Sequence, residues 1–154
     1  MGKTTIASQI AWYAVRQLDK KVLLIDLDPQ ANASQSVMSP KKWVTYLDDG
    51  GLTVADIFEQ FTPTDTASGS PKKLDPSKVI YNRVTYRDGS LLHLVPSRLE
   101  LSWTLRNPTG KETLLARFVA KVEAKYDLIL IDCSPTDSIL TDAAYHGCNP
   151  VLPA

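Results

Sequence analysis

Two carboxylates separated by one residue end the first long apolar run of the chain. Asp26 and Asp28 follow the apolar residues 22–25, and a short run of this kind is typical of a strand buried in a parallel sheet. Because alternate residues of a strand share a face, both side chains are expected to point the same way from its carboxyl end. Open α/β sheets bind ligands at that end, so the pair indicates a bound metal ion or a water molecule to be activated.

A Gly-Lys-Thr-Thr segment stands at residues 2–5, where the chain is predicted to enter a helix. Apolar residues at helical spacing predict an amphipathic helix over residues 4–18. The free N–H groups and the positive dipole end of such a helix favour a phosphate. Lys3 would then reach the β- and γ-phosphates, and the Thr4 hydroxyl would bind Mg²⁺. The alternative is an ordinary capped helix in which these four residues occur by chance.

A third acid, Asp132, ends the apolar residues 128–131 and is followed by Cys133, Ser134 and Pro135. An aspartate at the tip of an apolar strand is the Walker B pattern, in which the carboxylate holds a water molecule bound to Mg²⁺. The alternative is that Asp132 only caps the next helix.

The rest of the chain predicts the elements that must position these residues. Residues 32–40 are polar and predict a loop that contains at most a helical turn, and residues 62–77, rich in Pro, Thr and Ser, predict a surface loop. A turn is predicted at Asp88 and Gly89. Apolar patterns predict helices over residues 52–61, 97–105 and 111–125, and strands at residues 79–80 and 91–95.

Composition restricts the class of protein. The 154 residues are enough for one domain with a core, and we predict a single domain over residues 1–154. Lys plus Arg and Asp plus Glu number 17 each, so no net charge attracts nucleic acid or an acidic membrane. No apolar run approaches the roughly 20 residues of a membrane span. Cys133 and Cys148 lie outside any Cys-x-x-Cys spacing, and together these features predict a cytoplasmic protein with free thiols.

Taken in order, the three chemical segments resemble the ParA/Soj family of partitioning ATPases, within the MinD-like deviant-Walker group of P-loop NTPases. The resemblance is carried by residues 2–5 (GKTT), 22–32 (VLLIDLDPQAN) and 126–135 (YDLILIDCSP). Residues 26–32 are the most specific part and favour ParA over MinD or the nitrogenase iron protein. The resemblance implies a three-layer, Rossmann-like α/β P-loop NTPase fold with a mostly parallel sheet and helices on both faces.

The resemblance also implies a function. Family members bind ATP and Mg²⁺, pair as homodimers, and hydrolyse ATP slowly when a partner protein of the ParB type stimulates them. Carried over by position, the family roles give phosphate binding to Gly2, Lys3, Thr4 and Thr5. Thr4 would also coordinate Mg²⁺, and Asp26 and Asp132 would support the metal through its waters. The catalytic residues would be Lys3 and Asp28, of which Asp28 orients the attacking water.

The chain departs from the family pattern at both ends. The family's first strand, its two leading glycines and its signature lysine would precede Gly2, and further strands and helices that contact adenine would follow Ala154. The sequence is therefore predicted to be a partial ParA-type domain, shortened at both ends, whose complete form partitions plasmid or chromosomal DNA. It is expected to be a truncated gene product, a chain with a wrongly assigned start, or a fragment of a longer protein. Non-specific DNA is expected as a partner of the complete form alone. The alternative is a non-catalytic remnant that acts as a binding or interaction module.

Overall fold

The computed structural model describes residues 2–59, 74–106, 111–134 and 138–148. Within them helices and strands alternate along the chain. The helices are α1 Lys3–Gln17, α2 Asn32–Met38, α3 Pro40–Asp48, α4 Val54–Glu59, α5 Leu114–Val122 and α6 Ile139–Gly147, and the strands are β1 Lys21–Leu27, β2 Tyr81–Thr85, β3 Leu91–Val95 and β4 Leu128–Cys133. Short 3₁₀ turns span Pro76–Val79, Leu99–Arg106 and Glu123–Lys125.

The four described strands form one sheet in the order β2-β3-β1-β4. β1 lies in the middle and pairs in parallel with both β3 and β4, whereas β2 pairs antiparallel with β3. The mostly parallel α/β fold predicted from the sequence is confirmed. β1 is apolar on both faces because both are covered, and six consecutive residues from Val22 to Leu27 are buried.

Helices cover both faces of this sheet. Leu23, Ile25 and Leu27 of β1 pack in one core cluster with residues of α4, α5 and α6. Val22 and Leu24 pack on the opposite face, in a cluster with residues of α1 and α2. The predicted three-layer arrangement is therefore present.

The predicted polar loop over residues 32–40 is wrong, because most of it is the helix α2. Ala33, Val37 and Met38 recur at helical spacing and are buried against the sheet. α3 follows directly and had not been predicted. Its first residue, Pro40, suits a helix start, where no backbone N–H is needed.

The strand predicted at residues 79–80 is also wrong. A 3₁₀ turn occupies Pro76–Val79, and Asp75 caps it by accepting the backbone N–H of Ser77 at 3.0 Å. The strand begins afterwards, at Tyr81. The predicted helix over residues 97–105 is a 3₁₀ segment, Leu99–Arg106. Residues 60, 61 and 62–73 of the predicted helix and surface loop lie outside the described residues.

The turn at Asp88 and Gly89 and the strand Leu91–Val95 are confirmed. The helix predicted over residues 111–125 is present as α5, followed by the 3₁₀ turn Glu123–Lys125. In the part of the chain that the structure describes, no helix combines the length and the apolar character that crossing a bilayer requires.

Candidate functional site

The carboxyl ends of β1 and β4 bring the predicted acids to one edge of the sheet. Asp26 and Asp132 are paired positions on these two parallel strands, so their side chains lie on the same face. α1 packs against both strands, and its first turn reaches this edge. The Thr4 side chain lies within hydrogen-bonding reach of the Asp132 carboxylate and Lys3 lies close enough for its charge to act on it, and both lower the pKa of Asp132.

The first turn of α1 presents free backbone donors. Gly2 precedes the helix with φ of 109°, a left-handed conformation that glycine adopts without strain. The N–H of Ile6 bonds to the Gly2 carbonyl at 2.9 Å, so the N–H groups before Ile6 have no partner within the helix. No side chain of the N-cap residue covers them. Gly2, Lys3 and Thr5 are exposed, so among the described residues the helix start is open to an anion.

Asp132 is buried but incompletely satisfied. One carboxylate oxygen, Oδ2, is buried and has no hydrogen-bond partner among the described residues. Burial raises the pKa of Asp132, the charge of Asp28 raises this pKa further, and the Thr4 hydrogen bond and the Lys3 charge lower it. A buried carboxylate oxygen without a donor is costly. A cation, or a water molecule bound to a cation, would satisfy it.

Asp26 is fully buried but, unlike Asp132, has protein donors on both oxygens. Oδ2 accepts the backbone N–H and the hydroxyl of Ser34, each at 2.7 Å, and Oδ1 accepts the N–H of Asp28 at 3.1 Å. Burial nevertheless raises the pKa of Asp26 to about 7, against the lowering effect of these hydrogen bonds. Asp26 thus lies behind the edge of the sheet and holds the start of α2 to β1.

Asp28 lies further out, where the chain leaves β1. It is partly exposed, and its Oδ1 accepts the N–H of Gln30 at 2.9 Å while its carbonyl accepts the N–H of Ala31 at the same distance. Its charge acts on the buried Asp132. The Asp28 side chain therefore lies near enough to Asp132 to belong to the same edge of the sheet.

The structure brings Lys3, Thr4, Asp28 and Asp132 together and leaves Asp26 beneath them. The described residues contain no group of three or more His, Cys, Asp or Glu side chains arranged to hold a metal ion. Mg²⁺, however, is commonly held by one or two carboxylates together with substrate phosphates. The unpartnered Asp132 oxygen beside the Thr4 hydroxyl fits that kind of site.

Sequence reasoning missed Ser34 and Ser97, two buried polar residues that extend the site. Ser34 binds Asp26, and the backbone N–H of Ser97 donates to the Ser34 hydroxyl at 2.8 Å. The one indication in the sequence was that Ser34 lies beside Ala33 and Val37, so that in a helix it would face the core with them. Its partner, eight residues earlier on another element, could not be read from the sequence.

Comparison with known proteins agrees with this geometry. The family model AAA_31, described as an AAA domain, matches residues 1–153. The chromosome-partitioning ATPase Soj of Treponema pallidum is 29% identical over 152 residues, a match that covers 99% of this chain and 51% of Soj. The chain spans about half, or less, of the length of the curated relatives that it matches.

Two solved structures show the same fold. A plasmid partition protein from Borrelia burgdorferi superposes with a TM-score of 0.68 at 24% identity, over 95% of this chain and 57% of that protein. Cobyrinic acid a,c-diamide synthase from Mycobacterium smegmatis, solved with an ATP analogue and magnesium, gives a TM-score of 0.64 at 25% identity, over 92% of this chain and 50% of that protein.

The mostly parallel α/β fold thus matches the Rossmann-like fold of the P-loop NTPases, with acids and hydroxyls at one edge of its sheet. The chain belongs to the AAA_31 family and, within it, to the ParA/Soj-type partitioning ATPases.

Proposed function

We propose that the chain binds ATP and Mg²⁺ at the first turn of α1. The observation that carries this proposal is the contact of Thr4 with Asp132, whose buried Oδ2 has no partner among the described residues. Beside it lie the open N–H groups of the helix start and the charge of Lys3. A polyphosphate carrying a divalent cation would satisfy both the donors and the acceptor.

Each predicted residue then has a part in holding the ligand. The backbone N–H groups at Gly2, Lys3 and Thr5, which have no partner within the helix, would bind phosphate oxygens at the positive end of the helix dipole, and the Lys3 ammonium would bind the terminal phosphates. Thr4 and Asp132 would hold the cation, with Asp26 supporting it from behind. When bound, Mg²⁺ neutralises part of the negative charge on the phosphates.

Asp28 would orient the attacking water. Its side chain is partly exposed and borders the space beside Lys3 and Asp132. A carboxylate in that position can accept a hydrogen bond from water and hold it in line with a phosphate. Catalysis of this kind consists of positioning and electrostatics, so Asp28 and Lys3 are the residues whose loss should slow hydrolysis most.

At the level of the complete protein, we propose a ParA-like switch: ATP-dependent homodimerisation, slow hydrolysis stimulated by a ParB-like protein, and partitioning of plasmid or chromosomal DNA. The names of the relatives support this reading, since they include chromosome-partitioning ATPases and a cell division protein. Because this chain spans about half of the Soj relative, the dimer and its partners are proposed for the full-length form.

The second candidate is a non-catalytic binding module. It is favoured by Asp26, whose carboxylate accepts three protein donors and secures α2 without any nucleotide. Under this hypothesis the role of Asp26 is to stabilise the fold.

Titration of the 154-residue chain with a fluorescent ATP analogue, in Mg²⁺ and in EDTA, separates the two candidates. Lys3→Ala tests the phosphate site, and Lys20→Ala, an exposed lysine beyond the other end of α1, is the matched control. We expect micromolar binding that Lys3→Ala abolishes and Lys20→Ala preserves. A folded chain that binds no nucleotide, or binds it equally in both variants, would favour the binding module.

A further inference from the structure

We propose that Ser34 is a positioning residue that fixes Asp28 through Asp26, and that Ser97 and Trp43 couple this contact to α3. The inference rests on the proposed function in one respect, because it assumes that the position of Asp28 matters for hydrolysis. The hydrogen-bond chain itself is independent of any nucleotide.

The Asp26 carboxylate joins α2 to the backbone of Asp28. Ser34, in the first turn of α2, donates its N–H and its hydroxyl to Oδ2, and the N–H of Asp28 donates to Oδ1. Asp26 and Ser34 both have no exposed surface. Because bulk water does not reach these atoms to replace a lost donor, a change at Ser34 must be absorbed by the carboxylate and by the Asp28 amide bonded to it.

While Asp26 is ionised, the direction of the hydrogen bonds at Ser34 is fixed by chemistry. The backbone N–H of Ser97 can only donate, so the Ser34 hydroxyl accepts from it at 2.8 Å. The single hydroxyl proton of Ser34 is then committed to Asp26. On the other side, the Ser97 carbonyl accepts the indole Nε1–H of Trp43 at 3.0 Å. A chain of contacts therefore runs from Trp43 of α3 to the backbone of Asp28, and the covalent backbone of Ser97 joins its two hydrogen bonds.

α2 depends on this chain for its position. Its N-cap residue, Ala31, offers no capping side chain and has φ of 54°, and Ser39 at its other end has φ of 76°. Both are left-handed conformations that residues with a Cβ rarely adopt. The remote Asp26 replaces the missing cap, and Arg83 of β2 donates to the Val37 carbonyl at 2.7 Å near the end of the helix. Contacts from the sheet thus hold both ends of α2, and Ser34 makes the one nearest Asp28.

The coupling is tested without nucleotide by the ¹H–¹⁵N signals of the Asp28 amide and the Trp43 indole in the 154-residue chain. We expect Ser34→Ala to shift both signals and Ser34→Thr, which keeps the hydroxyl, to restore them. Ser36→Ala on the exposed side of α2 is the matched control and should shift neither. If Ser34→Ala does not fold, Trp43→Phe tests the chain from its other end and should shift the Asp28 amide. Coupling is refuted if the folded Ser34→Ala or Trp43→Phe leaves the distant signal unmoved.

The positioning role is tested by separating binding from turnover. In single-turnover hydrolysis of ATP, we expect Ser34→Ala to lower the rate by roughly tenfold to a hundredfold, with nucleotide Kd changed less than about twofold. Ser34→Thr should restore the rate. A rate unaffected by Ser34→Ala, or one that Ser34→Thr fails to restore, would overturn this role. If the parent chain binds no ATP, the proposed function fails, while the nucleotide-free spectra still decide the coupling.

Discussion

Asp26 and Asp132 occupy paired positions on neighbouring parallel strands, yet the protein satisfies only the first of the two carboxylates. Asp26 accepts hydrogen bonds on both oxygens, whereas Oδ2 of Asp132 is buried without a partner among the described residues. The two acids are equivalent in the sheet and different in chemistry. Asp26 completes the fold, and Asp132 is left available for a ligand.

This difference predicts opposite effects of the same substitution on stability. Asp26→Asn would turn an amide NH₂ toward a backbone N–H donor, and we expect it to lower the free energy of unfolding by about 1–3 kcal/mol. Asp132→Asn removes a buried charge that the protein does not satisfy, so the unfolding free energy should stay the same or rise. Urea unfolding of both variants without nucleotide provides the measurement. Equal losses in the two variants would contradict the distinction.

Stability should also depend on pH. Burial raises the pKa of Asp26 to about 7 and also raises that of Asp132. Between pH of about 4 and about 7 the folded chain therefore holds protons that the unfolded chain has released. This contribution to stability is complete below the unfolded pKa, near 4, and is lost as pH rises through the folded value.

The expected result is a free energy of unfolding that falls from pH 5 to pH 8, measured by urea unfolding at fixed ionic strength. Asp26→Asn should be less stable at every pH but should show a shallower slope, since one of the two groups no longer titrates. A parent protein whose stability does not fall across this range would contradict the prediction that the folded chain holds extra protons on these acids.

Gly2 provides a third prediction. An alanine Cβ at Gly2 meets no atom within 4 Å, but φ of 109° is strained for any residue with a Cβ. Gly2→Ala should cost about 1–2 kcal/mol of stability and weaken nucleotide binding, because the first turn of α1 would shift. Gly147→Ala is the control, since its Cβ would make ordinary contacts at 3.6 Å or more. Thermal unfolding of both variants checks the contrast, and equal behaviour would argue against strain at Gly2.

Much of the fold follows from local patterns in the sequence. β1, β3 and β4 are short apolar runs, and α1 and α5 carry apolar residues at helical spacing, so each was predicted correctly in type. α2 was missed because its apolar positions are few and its cap is Asp26, which lies on another element. The strand at residues 79–80 was misplaced because an Asp-Pro-Ser turn intervenes before Tyr81.

In the candidate site, as in the fold, the features set by local sequence were predicted and those set by contacts between distant elements were not. The segments that carry Lys3, Thr4, Asp28 and Asp132 were identified from motifs, and the strand ends bring them to one edge. The contrast between Asp26 and Asp132 was not predictable, because both are aspartates at the ends of apolar strands. The two acids differ in their hydrogen-bond donors, because Ser34, on another element, donates to Asp26.

Thr4 and Asp132 are proposed to hold together the cation that accompanies a bound nucleotide. The most direct test is the affinity for an ATP analogue in Mg²⁺ and in EDTA, measured for the parent chain, Thr4→Ala, Asp132→Asn and the double variant. We predict that Mg²⁺ tightens binding to the parent by about tenfold or more, and that either substitution removes most of this gain. The double variant should lose no more than the single variants, because both residues act on one ion. An affinity that is the same with and without Mg²⁺ in the parent, or losses that add in the double variant, would contradict the claim.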